Sequence, residues 1–203
     1  MINWKTFLEK WGQQLIQIPE YGDGIPSEVL KSGWLGYPGA LEDDIKKNEV
    51  RIGKTLPPSY REFLKYTNGW RVIDNFAGPL WPVQKIDWLF KDQKELIDNW
   101  IKGYYYSGKT PRIPDAEYFK YGDIENSYSY LIREEYLAKA LEISDLSDIS
   151  NSAVYLLNPE IIDSDNEWEA WYFEPELGVR RYRSFECLMK GEYKWFLQFN
   201  GLS

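Results

Sequence analysis

The sequence has no histidine and only one cysteine among its 203 residues. Without histidine there is no Ser-His or Cys-His couple, no His-containing zinc site, and the commonest general base is missing. A single cysteine, Cys187, allows no internal disulfide. It lies between Phe185 and Leu188 in an apolar helical pattern and reads as a buried structural thiol, because reactive thiols need accessible, electropositive surroundings. No stretch approaches the roughly 20 apolar residues of a membrane span. The opening MINWKTFLEKW carries no apolar run flanked by positive charge, so no secretory leader is expected. Walker loops, dinucleotide fingerprints and paired CxxC motifs are also missing. The expectation is a cytoplasmic protein with no cofactor, no metal and no membrane partner.

Cations are missing from one block. From Ala140 to Val179 there is no Lys or Arg, while ten carboxylates fall there. Outside it, 24 cations face 22 carboxylates, so the net charge of -8 originates in this block. An acidic field repels phosphate backbones, which argues against direct nucleic-acid binding. It attracts a basic partner, or serves only as a solvated surface that aids solubility.

Aromatic residues are abundant, at 17% of the chain. They build cores, and they also build protein interfaces and sugar platforms. Trp4, Phe7, Leu8, Trp11 and Leu15 recur at helical spacing behind a candidate cap, Asn3. Residues 19 to 40 are rich in Gly and Pro and read as loop, with a short helical turn near Ser27 to Leu30. Leu41 to Gly53 reads as a second helix, with acidic residues in its first turn where the helix dipole favours them. Pro57-Pro58 opens a third, Ser59 to Thr67, which Asn68-Gly69 stops. Short strands are expected at Val72-Ile73 and Leu80 to Val83 around an Asn75 to Pro79 turn, then a helix from Asp92 to Lys102. Tyr104 to Ala116 reads as an exposed loop.

Apolar runs of strand character follow at Tyr118 to Tyr121, Tyr128 to Ile132, Ala153 to Leu157, Trp168 to Phe173 and Val179 to Tyr182. Gly122-Asp123, Asn158-Pro159, Asp163 to Asn166 and Pro175 to Gly178 read as turns between them. Arg133 to Ile143 begins as helix and ends as strand. Ser184 caps a last helix through Phe199. Helices first, then strands, then one helix predict an α+β fold, a central mainly antiparallel sheet flanked by N-terminal helices and a C-terminal helix. One domain is expected, with residues 1–40 as an elaboration, 41–189 as core and 190–203 as the end of the last helix.

Two carboxylate groupings invite a chemical reading. Glu167 and Glu169 stand two apart, so on a strand both point to one face. A glycosidase pair needs carboxylates about 5 to 9.5 Å apart across a cleft, and one strand face supplies no opposing wall. Asp163-Ser164-Asp165-Asn166-Glu167 loosely resembles a calcium loop, but it lacks the glycine and distant glutamate of an EF-hand. A charged hairpin turn accounts for it.

The stretch from Ile45 to Trp70 resembles the signature of the SUKH superfamily, in Ile45, Glu49, Ile52-Gly53, Leu56-Pro57, Tyr60, Phe63-Leu64 and Asn68-Gly69. Later segments are similar too: Tyr121-Gly122-Asp123, Tyr155 to Pro159, Glu167-Trp168-Glu169-Ala170-Trp171, and Arg181-Tyr182 with Ser184-Phe185. The resemblance spans about Leu41 to Met189. It implies a SUKH-like α+β fold and no catalysis. It also implies that a bacterial member is an immunity protein that binds a cognate toxin, often a nuclease. Fungal members imply the alternative, a scaffold or regulatory binding module. A carbohydrate-active protein using the aromatics with Glu167 and Glu169 is the third reading.

The expected partner is a protein toxin with a basic surface. The candidate contact face comprises Asp163, Asp165, Glu167, Glu169, Glu174 and Glu176, with Trp171 as aromatic anchor. Equally open is that Glu169 and Trp171 serve the fold, with Arg181 or Arg183 pairing Glu169 across strands. Ile45, Glu49, Gly53, Leu56, Pro57, Tyr60, Phe63, Leu64, Asn68 and Gly69 are expected to be structural.

Overall fold

Trp4–Leu15 forms helix α1, whose first turn is closed by the Asn3 side chain accepting from the Thr6 N–H. The structure is a computed structural model that describes residues 2–22, 24–73, 76–103, 112–121, 132–146 and 152–202. Short helices α2 (Pro19–Gly22) and α3 (Ser27–Ser32) follow in the Gly- and Pro-rich segment. Helix α4 (Glu42–Ile52) ends on Gly53, which takes a left-handed conformation with φ of 71°. Helix α5 (Pro58–Tyr66) starts after Pro57, whose fixed φ suits a helix entrance.

A two-residue strand β1 (Asp87–Trp88) then leads into α6 (Leu89–Asp92), α7 (Lys94–Ile101), α8 (Asp115–Tyr118) and α9 (Glu134–Leu137). Strands β2 (Leu141–Glu142), β3 (Val154–Ile162), β4 (Trp168–Glu174) and β5 (Gly178–Tyr182) precede the last helix, α10 (Phe185–Phe199). Among the described residues the five strands form one antiparallel sheet in the order β1-β2-β3-β4-β5. The fold is α+β, as the order of elements predicts.

Both faces of the sheet are covered. On one face Tyr155, Leu157, Trp168, Ala170, Tyr172 and Tyr182 join the cluster that holds α1, α4, α5 and α10. On the other, Val154, Leu156, Trp171, Phe173 and Val179 pack with Leu89, Ile97, Trp100 and Leu137. The alternation follows from the two-residue period of a strand. On the first face, Phe185 of α10 lies 5.7 Å from Trp4, 4.8 Å from Tyr60 and 5.0 Å from Phe63, ring to ring. That contact locks α1, α5 and α10 together, and burying each such ring contributes about 1.5–3 kcal/mol.

The signature residues occupy this layer. Ile45, Leu56, Tyr60, Phe63 and Leu64 are buried, as is Pro57. Glu49 accepts the Leu56 N–H at 2.8 Å and the Arg61 Nε at 2.8 Å, tying the end of α4 to α5. Asn68 and Gly69 do more than stop a helix. The Asn68 Oδ1 accepts the Val83 N–H at 2.7 Å, and a Cβ on Gly69 would sit 2.7 Å from the Leu80 carbonyl. They let residues near Trp70 and Leu80 approach as an antiparallel bridge.

Several expectations are corrected. The strands at Val72-Ile73 and Leu80 to Val83 reduce to isolated bridges at Trp70 and Leu80. Tyr118 to Tyr121 is not a strand: Pro114 precedes a helical turn with Asp115 and Glu117 in it. Asn158-Pro159 is no turn but lies inside β3, where the register slips between Asn158 and Ile162. Proline cannot donate to the ladder, and a bulge is where a strand tolerates it. The helix from Asp92 to Lys102 is two helices meeting at Gln93. Cys187 is exposed, because the buried side of α10 is set by Phe185, Leu188, Met189, Glu192 and Phe196. Most of the Tyr104 to Ala116 loop, the Gly122-Asp123 turn, Asn75, Asp148 and residues 128–131 lie outside the described residues.

Candidate functional site

The β3–β4 hairpin is the point at which the acidic block meets the signature stretch. Its turn is built by Asp163, whose Oδ1 accepts the backbone N–H groups of Asp165 and Glu167, both at 2.9 Å. Asn166 takes a left-handed conformation, φ 62°, which Asn tolerates better than most residues. Glu167 then turns toward α5. It accepts the Ser59 N–H at 2.8 Å and the Ser59 hydroxyl at 2.7 Å. A carboxylate at a helix N-terminus satisfies an orphan donor and complements the dipole. Burial raises the Glu167 pKa, even though both Ser59 donors pull it down.

Beside this link a groove of about 720 Å³ runs between the α4–α5 turn and the hairpin. Leu56, Pro58, Ile162 and Trp168 line it, with Lys54 and Asn166 at its edge. Asp163 and Asp165 are exposed on the adjoining turn. Arg61, also on the groove, is engaged by Glu42 and Glu49, both at 2.8 Å.

Glu169 and Trp171 do not belong to an exposed face, which corrects that part of the candidate contact surface. Glu169 is 1% exposed and Trp171 fully buried. They point into the layer opposite the one Glu167 reaches, because Glu167 precedes β4 and escapes its alternation. The two glutamates therefore share no cleft. One Glu169 oxygen accepts from Tyr118 Oη (2.9 Å), Asn158 Nδ2 (2.9 Å) and Trp171 Nε1 (2.8 Å). The other accepts from Arg181 Nη1 (2.9 Å) and Tyr121 Oη (3.1 Å). Of the two arginines considered, Arg181 makes the pair, and Arg183 lies over the Tyr121 ring at 5.0 Å.

Tyr118 is clamped by two guanidinium groups, Arg181 at 3.9 Å and Arg133 at 4.4 Å from its ring. Its hydroxyl pKa is raised, first by burial and then by the Glu169 charge. Sequence reasoning missed Tyr118 and Arg133 because they come from segments far from β4.

Glu174 and Glu176 lie at the β4–β5 turn, the opposite end of β4 from Asp163 and Asp165. Seven residues of strand separate the two ends by about 20 Å. The candidate carboxylates thus divide between the two ends of β4: Asp163, Asp165 and Glu176 are exposed, Glu167 and Glu174 half-buried, and Glu169 buried. A further buried carboxyl, Glu142, is 3% exposed, and burial, with Asp145 and Asp92 adding, pushes it up to about 8. The described residues hold no group of three or more acidic or Cys side chains arranged to bind a metal ion. No helix among them is long and apolar enough to cross a membrane.

A family model described as the SMI1 / KNR4 family (SUKH-1) matches residues 39–191. No curated protein matches the chain.

Proposed function

Because the chain belongs to the SMI1 / KNR4 family (SUKH-1), we propose that it is an immunity protein that binds a cognate protein toxin and neutralises it by stoichiometric contact. The observation that carries the reading is the rigid β3–β4 turn, which presents Asp163 and Asp165 to solvent in a block free of Lys and Arg. A nuclease that handles phosphates presents basic surface, and fixed carboxylates compete for it. The toxin is accordingly of nuclease type, and the encounter takes place in the cytoplasm. No catalysis by this chain is involved. An interface of standard size buries about 800 Å² on each partner, more than the turn alone supplies, so the contact extends onto neighbouring surface.

Co-expression tests this. The reading predicts a toxin gene beside this chain's gene; cells making that toxin domain survive when the chain is supplied, and the two purify as a stoichiometric complex. Survival without a complex, or a complex without survival, contradicts the reading.

A further inference from the structure

We propose that the groove between the α4–α5 turn and the β3–β4 hairpin seats an apolar anchor side chain of the toxin. The anchor is flanked by Lys or Arg on the hairpin side and by a carboxylate on the Lys54 side. This rests on the immunity reading and specifies the surface and the chemistry of the segment that fills it.

Ile162 is the first argument. It ends β3, is 51% exposed, and precedes the wholly polar run Asp163-Ser164-Asp165-Asn166. Folding gains little from an isoleucine left half in water, whereas a docked side chain would cover it. Leu56, Pro58 and Trp168 extend the apolar floor beneath it. The volume of about 720 Å³ exceeds one aromatic side chain and admits a short segment of chain.

Charge sets the direction of that segment. On the hairpin side stand the exposed Asp163 and Asp165, and Lys139, which reaches this end of β3, is paired with Glu160 at 2.7 Å. Of the cations on the α4–α5 side, Arg61 is held by Glu42 and Glu49, and Lys65 is held by Glu62 at 2.8 Å. Lys54 is exposed at the edge of the groove. Charge is thus negative on the turn beside the hairpin wall, where Asp163 and Asp165 stand, while on the opposite wall Glu62 is paired with Lys65 and Lys54 is exposed. That asymmetry accepts a segment in one polarity and rejects its charge-reversed counterpart.

The walls are also held in place before any partner arrives. Glu167 bonds Ser59 twice, Asp163 closes its own turn, and Glu49 fixes the Leu56 N–H. A preformed surface pays less ordering entropy on binding. A second apolar opening, lined by Phe76 and Phe199 near the end of α10, has no such complementarity to offer. Its charges, Arg180 and Glu192, pair with each other at 2.8 Å.

Calorimetry with a catalytically inactive form of the neighbouring toxin domain tests the proposal. Ile162→Glu and, independently, Thr55→Trp, which fills the groove from its exposed edge, are each expected to weaken binding at least 10-fold. Lys54→Glu is expected to weaken it several-fold. Leu177→Glu, at the other end of β4 and 46% exposed, is expected to bind like wild type. Thermal melts verify that each variant folds. Wild-type affinity in both groove variants, with Leu177→Glu the weakened one, overturns the groove while leaving immunity standing. No complex with wild-type protein overturns both.

Discussion

Glu167 grips Ser59 through both the backbone N–H and the hydroxyl, joining residues 108 positions apart. The bond makes the acidic hairpin part of the entrance to α5, so the signature stretch positions the turn proposed to meet the partner. Ser59 in turn accepts the Glu186 N–H at 3.3 Å, which brings the first turn of α10 to the same point.

Glu167→Ala should therefore destabilise the protein by about 1–3 kcal/mol, the cost of losing charge-assisted bonds at a part-buried site. Glu167→Gln should cost less, since the amide oxygen still accepts one donor. Urea unfolding checks the order. Equal losses in the two variants would mean the bonds to Ser59 contribute nothing that depends on the acceptor.

The Glu169 cluster should behave as one unit. Glu169→Ala leaves Arg181 buried without its carboxylate and should cost about 3–5 kcal/mol. Arg181→Ala leaves the reverse problem. In the double variant the losses should fall short of the sum by about 0.5–3 kcal/mol. Additive losses in a double-mutant cycle would contradict a coupled pair.

Glu142 gives the stability a pH dependence of predictable sign. Its carboxyl is raised from the ordinary 4.5 to about 8 in the folded chain, with burial as the main cause. The folded state holds this proton more tightly than the unfolded state does. Its contribution is present in full below pH 4.5 and is lost as pH rises to about 8. Glu142→Gln should flatten that decline, so the variant gains on wild type between pH 5 and 9. Parallel stability curves from urea titrations across this range would show that Glu142 does not titrate as described.

How far the sequence could be read depended on how local the signal was. The faces of α1 and α5 follow from helical period alone, and Trp4, Tyr60, Phe63 and Phe185 meet where that period puts them, whereas on α10 the period misplaces Cys187 and Phe199, both exposed. The hairpin positions were visible from the Asp-Ser-Asp-Asn run. The side that Glu167 faces was not, because it depends on where β4 begins, one residue later. Asn158-Pro159 has the chemistry of a turn, yet the ladder on either side carries it through as a bulge. The donors around Glu169 come from Tyr118, Tyr121, Asn158 and Arg181, and only the tertiary fold brings the tyrosines there. The acidic block read as one surface because charge was counted along the chain. An antiparallel sheet sends its two turns to opposite ends.

Association kinetics with the inactive toxin domain test the central claim most directly. The account predicts that Asp165→Lys slows association at low salt, that the difference shrinks as salt screens the charges, and that Glu176→Lys, at the far end of β4, has the smaller effect. Unchanged association for Asp165→Lys at low salt, with Glu176→Lys the slower of the two, would contradict it.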